Sequence, residues 1–551
     1  MGGPTMSVGS SFDTLCDSFE RVKRKWLLPD APMRWLFGRI SRLQVAVLAC
    51  FLVYLLVFSL VGIVYKTWIT PVEDSPLFNM RTGLGGWSDR IGALAYALTP
   101  FTILLSNRES VLSLVTGIPY QHFNFLHRWL GRIIFVQGFL HTLGWTVVEG
   151  KLYQPQPEEY VALMSQMYII FGVVAMFLIT LMLLLSTKTA IRWFGYEFFK
   201  VTHWTIAVLY VAACWGHWDR LWCWMVPSLA LIAIDQAVRG LRTCYLHMGG
   251  KRGAGLGFKC AHAQVTLLGE DDDIVVRLDF EYVHREPWQT GQHFYLSFPS
   301  LSIWQSHPFT PSSLPDLTTR VQHHTYLLRV RKGQTSQLAA LATQSTVPAI
   351  LTGPYGHGHP RHETQNVLAV AGGTGVTFTL PVVQEALHQA IVPQAAVDFV
   401  WVVRKAQDLL WLATELSHLK SLLKAAPGLR VFIFVSRESR QDSRQDSRLI
   451  EPEKVPLDHA SSASSSSLSS DSTGLEGLLA INNSRWNVAF LGDHHPSASQ
   501  IVAEFMDRAS IQGGNVEIVG SGPEEMGSDL RSTVSKITTR EAVSFYWDSR
   551  E

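Results

Sequence analysis

Between residues 43 and 238 the chain carries six apolar stretches, at 43–65, 91–106, 125–148, 161–185, 198–215 and 221–238. A helix needs about 20 apolar residues to cross the hydrocarbon core. In lipid, with no water to bond the backbone, such segments persist only as helices or closed barrels. The pattern predicts a membrane α-helical bundle of six spans over residues 43–240, preceded by a polar to basic segment, 1–42. The first apolar run is too long for the core of a cleavable signal, so it reads as a span. Six spans return the chain to the side on which it started.

Basic residues indicate that side. Arg21, Lys23, Arg24, Lys25, Arg34, Arg39 and Arg42 precede the first span; Lys188, Arg192 and Lys200 separate the fourth and fifth; Arg239, Arg242, Lys251 and Arg252 follow the sixth. The opposite loop 149–160 carries one Lys against three Glu. The bias of Lys and Arg toward the cytosol then places both termini there, in a multi-pass protein whose lipid-facing helices make membrane lipid a partner. Over the whole chain 46 basic residues balance 45 acidic ones, and nothing in that total points to nucleic acid. Six scattered cysteines without a CxxC pair speak against a disulfide-built secreted domain.

Polar residues inside the spans are the next constraint. The third stretch holds His127 and His141, the fifth His203 and His217. Both pairs are spaced by 14 residues, about 21 Å of helix rise and close to four turns, so the members of each pair face one way. The third and fifth spans run in the same direction. His127 can therefore face His203 near the cytosolic leaflet while His141 faces His217 near the outer one. A lone intramembrane histidine is ordinarily a helix-packing residue. Matched pairs on two parallel helices instead predict two stacked sites for b-type haems with axial imidazole ligands. Arg128 and Arg132 could pair with haem propionates or snorkel to the cytosolic surface.

From residue 258 short alternating apolar runs at 263–268, 274–280, 293–298 and 325–330 suggest a small antiparallel β-barrel, a domain of residues 258–360. Among them lies Gln305-Ser306-His307-Pro308-Phe309-Thr310, where Pro308 is expected to end a strand's hydrogen bonding and release groups for a ligand. Arg329 or Lys332 with Thr335 could hold a diphosphate. Leu351-Thr352-Gly353-Pro354-Tyr355-Gly356 reads as a turn.

A second soluble domain, 361–551, opens on a buried-type strand at 367–371 and the turn Gly372-Gly373-Thr374-Gly375, which leads into a helix. Strand, glycine turn and helix aim backbone N–H groups at a pyrophosphate. Further strands at 398–403, 429–435, 488–491 and 515–520 alternate with helical stretches, the pattern of a parallel α/β sheet. Ser436-Arg437 ends the third strand, where an arginine could select a 2′-phosphate; Ser521-Gly522-Pro523 ends the last, a tight turn open to a nicotinamide. The stretch 438–482 is serine-rich with little to bury and is expected to be a disordered insertion.

His127-Arg128-Trp129-Leu130-Gly131-Arg132, the four spaced histidines, His307-Pro308-Phe309-Thr310, Gly353-Pro354-Tyr355-Gly356 and Gly372-Gly373-Thr374-Gly375 occur in this order. In this the chain resembles the fungal ferric-chelate reductases, a family related to the NADPH oxidases. The resemblance runs from about residue 81 to the end. It implies a haem domain, a ferredoxin-reductase-like FAD barrel and a nicotinamide-nucleotide domain. His307, Pro308, Phe309, Thr310 and Gly353 would then serve FAD, with Arg329 and Thr335 near its diphosphate. Gly372, Gly373, Thr374 and Gly375 would contact NADPH, Ser436 and Arg437 its 2′-phosphate, and Ser521, Gly522 and Pro523 the hydride site. Three features depart from the family pattern: Ser521 stands where a Cys is common; Trp547 is the candidate for a flavin-covering aromatic near the end; a signal peptide and an additional N-terminal span are missing.

The function expected is transfer of electrons from cytosolic NADPH through FAD and two haems to ferric or cupric chelates across the membrane, most naturally the plasma membrane, for iron uptake. A competing expectation is an NADPH oxidase making superoxide; short outward loops, 218–221 above all, favour a bulky acceptor instead. A reading of another class is a non-catalytic transporter or scaffold that senses NADPH.

Overall fold

A computed structural model describes residues 21–248, 257–269, 273–343, 346–356, 358, 366–389, 395–438, 475, 477–479, 483–539 and 542–548. The chain divides into two compact units, Leu43–Arg242 and a second made of Met1–Arg42 with Thr243–Glu551.

The first unit is helical. Helices α1 (Arg42–Leu60), α2 (Gly83–Leu104), α3 (Asn124–Val147), α4 (Met167–Leu185), α5 (Tyr196–His217) and α6 (Trp222–His247) correspond to the six apolar stretches. A two-stranded hairpin, β1 (Trp68–Pro71) and β2 (Phe78–Arg81), lies between α1 and α2. Four of the helices, α1, α4, α5 and α6, are long and apolar enough to cross a membrane. The 22 residues of α2 and 24 of α3 supply the length. Their polar side chains lower the apolarity: Asp89 and Arg90 in α2, and His127, Arg128, Arg132, Gln137 and His141 in α3. The fourth stretch is shorter than expected. A break at Ser165 and Gln166, where the Gln166 backbone is extended, separates a short helix, Glu158–Met164, from α4.

Local chemistry marks the ends. Thr82 caps α2 by accepting from the Leu84 amide at 3.2 Å. Gly195, at φ 87°, turns the chain into α5. α2 packs along α3 and α4 along α5, with α3 meeting α4. Leu98, Ile134 and Ile179 fill one part of the interior; Val211, Cys214 and Met225 fill another. Val53, Leu56 and Phe177 are about 60% exposed, an apolar exterior suited to lipid rather than water.

In the second unit, strands β3 (Ala261–Leu268), β4 (Val275–Val283), β5 (His293–Ser297), β6 (His307–Phe309), β7 (Val321–Arg329) and β8 (Val347–Tyr355), with helix α7 (Gln334–Ala340) before β8, form an antiparallel sheet in the order β6-β5-β8-β3-β4-β7. Ser312 and Ser313 bond the segment after β6 back to β7. Leu278, Phe294, Leu296, Tyr326 and Leu351 fill the interior. The reading of 351–356 as a turn is corrected: strand β8 continues through Gly353 and Pro354 to Tyr355, carried past an irregularity opposite His293 and Tyr295. Such irregularities re-aim a strand without ending it.

The rest is a parallel sheet. β9 (Asn366–Gly372), α8 (Val376–Gln389), β10 (Val397–Val403), α9 (Ala413–Leu422), β11 (Leu429–Val435), β12 (Trp486–Phe490), α10 (Ala498–Gln512), β13 (Val516–Ser521), α11 (Glu524–Val534) and β14 (Val543–Asp548) follow in sequence. The strand order is β12-β11-β10-β9-β13-β14, with α8 and α9 on one face and α10 and α11 on the other. Order reverses between β9 and β13, and such a switch point opens a crevice at the strand ends. β14, an edge strand with no counterpart among the expected strands, pairs with β13.

Most of the expected disordered insertion, 439–474, lies outside the described residues. Within it, Leu478 is buried, and its carbonyl accepts from the Trp486 indole at 3.1 Å. The N-terminal segment is also more than a flank. Asp30 bonds Arg531 at 3.0 Å and accepts from Ser528 at 2.6 Å, while buried Arg24 donates to the Val543 carbonyl at 3.0 Å. Residues 21–42 are thus pinned to α11 and β14.

Candidate functional site

In the helical unit the four predicted histidines come together as two pairs. The His127 and His203 ring centroids are 6.1 Å apart, and so are those of His141 and His217. Two metal–nitrogen bonds of about 2 Å, plus the two ring radii, account for that separation, so an iron fits between each pair. Tautomers are set from behind. Nδ1 of His127 donates to the Thr102 carbonyl, that of His141 to Ser88 and that of His217 to Tyr168, each at 2.8 Å. His203 Nδ1 meets the Ser186 hydroxyl at 3.1 Å. A proton held at Nδ1 leaves Nε2 with a lone pair for a metal.

Two glycines make room at the pair nearer the β1–β2 end of the helices. A Cβ on Gly92 would lie 2.6 Å from His141 Nδ1, and one on Gly172 would lie 2.6 Å from His217 Nδ1. Neither glycine was expected from the sequence, because each acts on a ring of another helix. Arg132, one of the propionate candidates, lies over the Trp129 ring at 4.8 Å.

In the barrel, His307, Pro308 and Phe309 themselves form the edge strand β6, pairing Phe309 with Phe294, Pro308 with Tyr295 and His307 with Leu296. Pro308 is accommodated within the edge strand rather than ending it. Tyr295 also pairs with Thr352, and the Thr352 hydroxyl meets that of Thr243, in the last turn of α6, at 2.9 Å. Buried His247 locks that turn further: Nε2 accepts from the Leu351 amide at 2.9 Å and Nδ1 donates to the Lys259 carbonyl at 2.6 Å. Pro308, Tyr295 and Thr352 therefore share one row across the sheet.

Buried polar atoms of the same antiparallel domain are suited to a bound ligand. Among the described residues, Thr310, 3% exposed, has a hydroxyl with no partner; Gln334, 8% exposed, has neither amide atom paired; Arg329 Nε is likewise unpaired. A buried polar group without a partner is costly, so each of the three is a candidate to meet a ligand. Thr335 is placed differently from the expectation. Its hydroxyl accepts from the Arg331 amide at 2.9 Å and donates to the Arg331 carbonyl at 3.0 Å, which fixes the loop. Its neighbour Gln334 is the side chain left to bond a ligand.

At the switch point the glycine turn and the end of β13 touch. A Cβ on Gly375 would lie 2.2 Å from the Ser521 carbonyl, one on Gly372 2.7 Å from Pro523 Cδ, and one on Gly522 3.0 Å from Gly372 Cα. Gly373, at φ 54°, bends the turn, and its carbonyl accepts from the Trp401 indole at 2.9 Å. Thr374 leads into α8 by accepting from Thr377 through its carbonyl at 3.1 Å. The structure thus joins Gly372–Gly375 with Ser521, Gly522 and Pro523, which only the fold could show.

Ser436 and Arg437 separate in role. Ser436 is buried and its hydroxyl donates to the Val403 carbonyl at 3.0 Å, whereas Arg437 is exposed at the strand end. Arg404, at the end of β10, reaches Asp273 at 2.7 Å, and Asp273 also lies 3.8 Å from Arg329. Arg404 was missed because nothing around it in sequence sets it apart from a loop charge. Trp547 does not serve as a cover for a flavin. It is 7% exposed, with its ring packed against Gly520 and Gly527 in the core of the parallel sheet.

Three family descriptions match the chain: "Ferric reductase like transmembrane component" over residues 91–214, "FAD-binding domain" over 257–371 and "Ferric reductase NAD binding domain" over 364–535. Ferric/cupric reductase transmembrane component 2 of Saccharomyces cerevisiae is 25% identical over 462 residues, 82% of this chain and 59% of the relative. Ferric reductase transmembrane component 3 of the same yeast is 30% identical over 52% of this chain and 38% of its own length. Ferric/cupric reductase transmembrane component 2 of Schizosaccharomyces pombe is 24% identical over 62% of this chain and 64% of its own length. The chain thus spans less than two thirds of each of these relatives. With the three matched regions in this order on one chain, the protein is a membrane relative of the fungal ferric reductase transmembrane components, with FAD-binding and NAD-binding domains.

Proposed function

We propose that the protein is an NADPH-dependent ferric-chelate reductase. In this reading it passes electrons from cytosolic NADPH across the membrane to ferric or cupric chelates, in the service of iron uptake. The observation that carries the transmembrane step is the pair of histidine sites, each with 6.1 Å between ring centroids and Nδ1 engaged from behind. The names of the fungal relatives support a metal as acceptor.

When bound, FAD would accept hydride from NADPH and pass single electrons on to the haems. The chain's own residues arrange this. Gly372, Gly373, Thr374 and Gly375 present backbone amides to the nucleotide diphosphate, and exposed Arg437 reaches its 2′-phosphate. The Ser521-Gly522-Pro523 turn, packed on that glycine loop, leaves a side-chain-free approach for the nicotinamide. Thr310, Gln334 and Arg329 would hold the flavin, while Gly353 lets β8 pass close to His293 and Phe294. His127 with His203, and His141 with His217, would hold two haem irons at separate depths. All six long helices span the membrane, most naturally the plasma membrane, and both termini stay in the cytosol.

An oxidase that passes the electron to oxygen is the competing reading. Loop 218–221 is short, as an open acceptor site requires, but the β1–β2 hairpin is held to the segment after α3: Gln154 donates to Asn79 at 2.7 Å and Arg81 lies over the Tyr153 ring at 5.2 Å. Shape alone is therefore a weaker guide than the relatives' names. A non-catalytic NADPH-sensing scaffold would need no paired histidines.

The deciding experiment is NADPH oxidation by the reconstituted full-length protein, comparing ferric chelate reduction with superoxide yield under air and under anaerobic conditions. Chelate reduction that persists without oxygen, with haem absorbance cycling, is the expected result. Superoxide as the main product would transfer the protein to the oxidase reading. His141→Leu is expected to abolish reduction across the membrane while NADPH still reduces the flavin; unchanged acceptor reduction would overturn the assigned path.

A further inference from the structure

The four histidines differ in what stands behind them. Three donate from Nδ1 to main-chain carbonyls at 2.8 Å: Thr102, Ser88 and Tyr168. These acceptors belong to the helix backbones and no side-chain substitution removes them. Behind His203 stands a side chain, the hydroxyl of Ser186, at 3.1 Å. Ser186 closes the C-terminus of α4, and its own proton is committed to the Met182 carbonyl at 2.6 Å. Its lone pair therefore faces the imidazole, so His203 donates from Nδ1 and presents Nε2 toward His127.

A hydrogen bond from Nδ1–H raises the basicity of Nε2, and a more basic axial ligand stabilises the oxidised metal. A longer bond to a hydroxyl does this less than a shorter bond to a peptide carbonyl. The two sites, alike in ligand type and ring separation, are thereby made electronically unequal. We propose that Ser186 is a positioning residue that holds down the reduction potential of the haem carried by His127 and His203, independently of the other haem. This rests on the reading of the histidine pairs as haem sites. The ring of His203 also meets that of Phe199 at 5.2 Å, so its orientation does not depend on Ser186 alone.

The test is potentiometric titration of haem absorbance in the purified full-length protein. Ser186→Ala removes the acceptor, and the expected result is two b-type haems retained, one midpoint raised and the other unmoved. The electron distribution between the haems should move by up to about tenfold, which is 59 mV for a one-electron couple. Ser186→Thr restores the hydroxyl and is expected to return the midpoint to its original value. Should the alanine variant lose haem, Ser186→Cys, a weaker acceptor of similar size, is expected to give an upward shift of the same haem. Two midpoints unchanged in the haem-retaining variant, or both displaced equally, would overturn the proposal while leaving the relay intact. A wild-type protein without a two-haem signal would instead sink the relay itself.

Discussion

Replacing Gly92 or Gly172 by alanine puts a methyl carbon 2.6 Å from Nδ1 of His141 or His217. Ordinary contact begins at 3.4 Å, so each imidazole must recede by roughly 0.8 Å from its present position. It can do so only by loosening its 2.8 Å bond to Ser88 or Tyr168. Overpacking of this kind costs about 1–3 kcal/mol. Charged against haem binding, that corresponds to a roughly 5- to 150-fold loss of affinity at the His141–His217 site. The His127–His203 site, supported by Thr102 and Ser186, should keep its haem. Haem-to-protein stoichiometry should therefore fall toward one per chain, ferric chelate reduction should be lost, and NADPH reduction of a soluble dye through the flavin should persist. Gly131→Ala on α3 is the control, because nothing among the described residues lies within 4 Å of its Cβ position. Two haems with unaltered spectra in both Gly92→Ala and Gly172→Ala would refute the packing argument.

Other consequences follow from the soluble domains. Asp30→Asn leaves Arg531, 13% exposed at its side chain, without its charge partner, and breaking such a pair costs about 3–5 kcal/mol at most. A double-mutant cycle with Arg531→Met in denaturant should show strong coupling; additive effects would mean that the N-terminal segment is not pinned there. Arg437→Gln should raise KM for NADPH by about tenfold, the worth of one charge-assisted hydrogen bond, while leaving NADH unaffected; equal effects on both would remove Arg437 from the 2′-phosphate site. Burial pushes the Asp398 carboxyl up to about 6, outweighing Arg508 at 2.8 Å. The folded state then holds a proton that the unfolded state releases near pH 3.9, so stability falls as pH rises between these values. Asp398→Asn should flatten that slope in thermal unfolding, and an unchanged slope would assign it to another group.

Much of this molecule was legible from short-range pattern. Apolar runs of about 20 residues dictate helices in lipid because the backbone has no other partner there. The 14-residue histidine spacing is local to one helix and survives any packing. Strand, glycine turn and helix is likewise a local signal, and the β9–Gly372–α8 passage follows it. What escaped the sequence depends on partners far along the chain. The carbonyls that fix the histidine tautomers come from α2, the start of α4 and, for His203, a hydroxyl at the end of α4. Gly375 must be glycine because Ser521 lies against it, and the sheet's strand order alone brings them together. Thr335 and Gln334 exchange roles because loop closure consumes one hydroxyl and strands the neighbouring amide in the interior. Trp547 is buried because β14 pairs with β13 and lays the ring over Gly520. Spacing determines which residues share a face; only packing decides what stands opposite them, because an opposing group is chosen by contact in space and leaves no period in the chain.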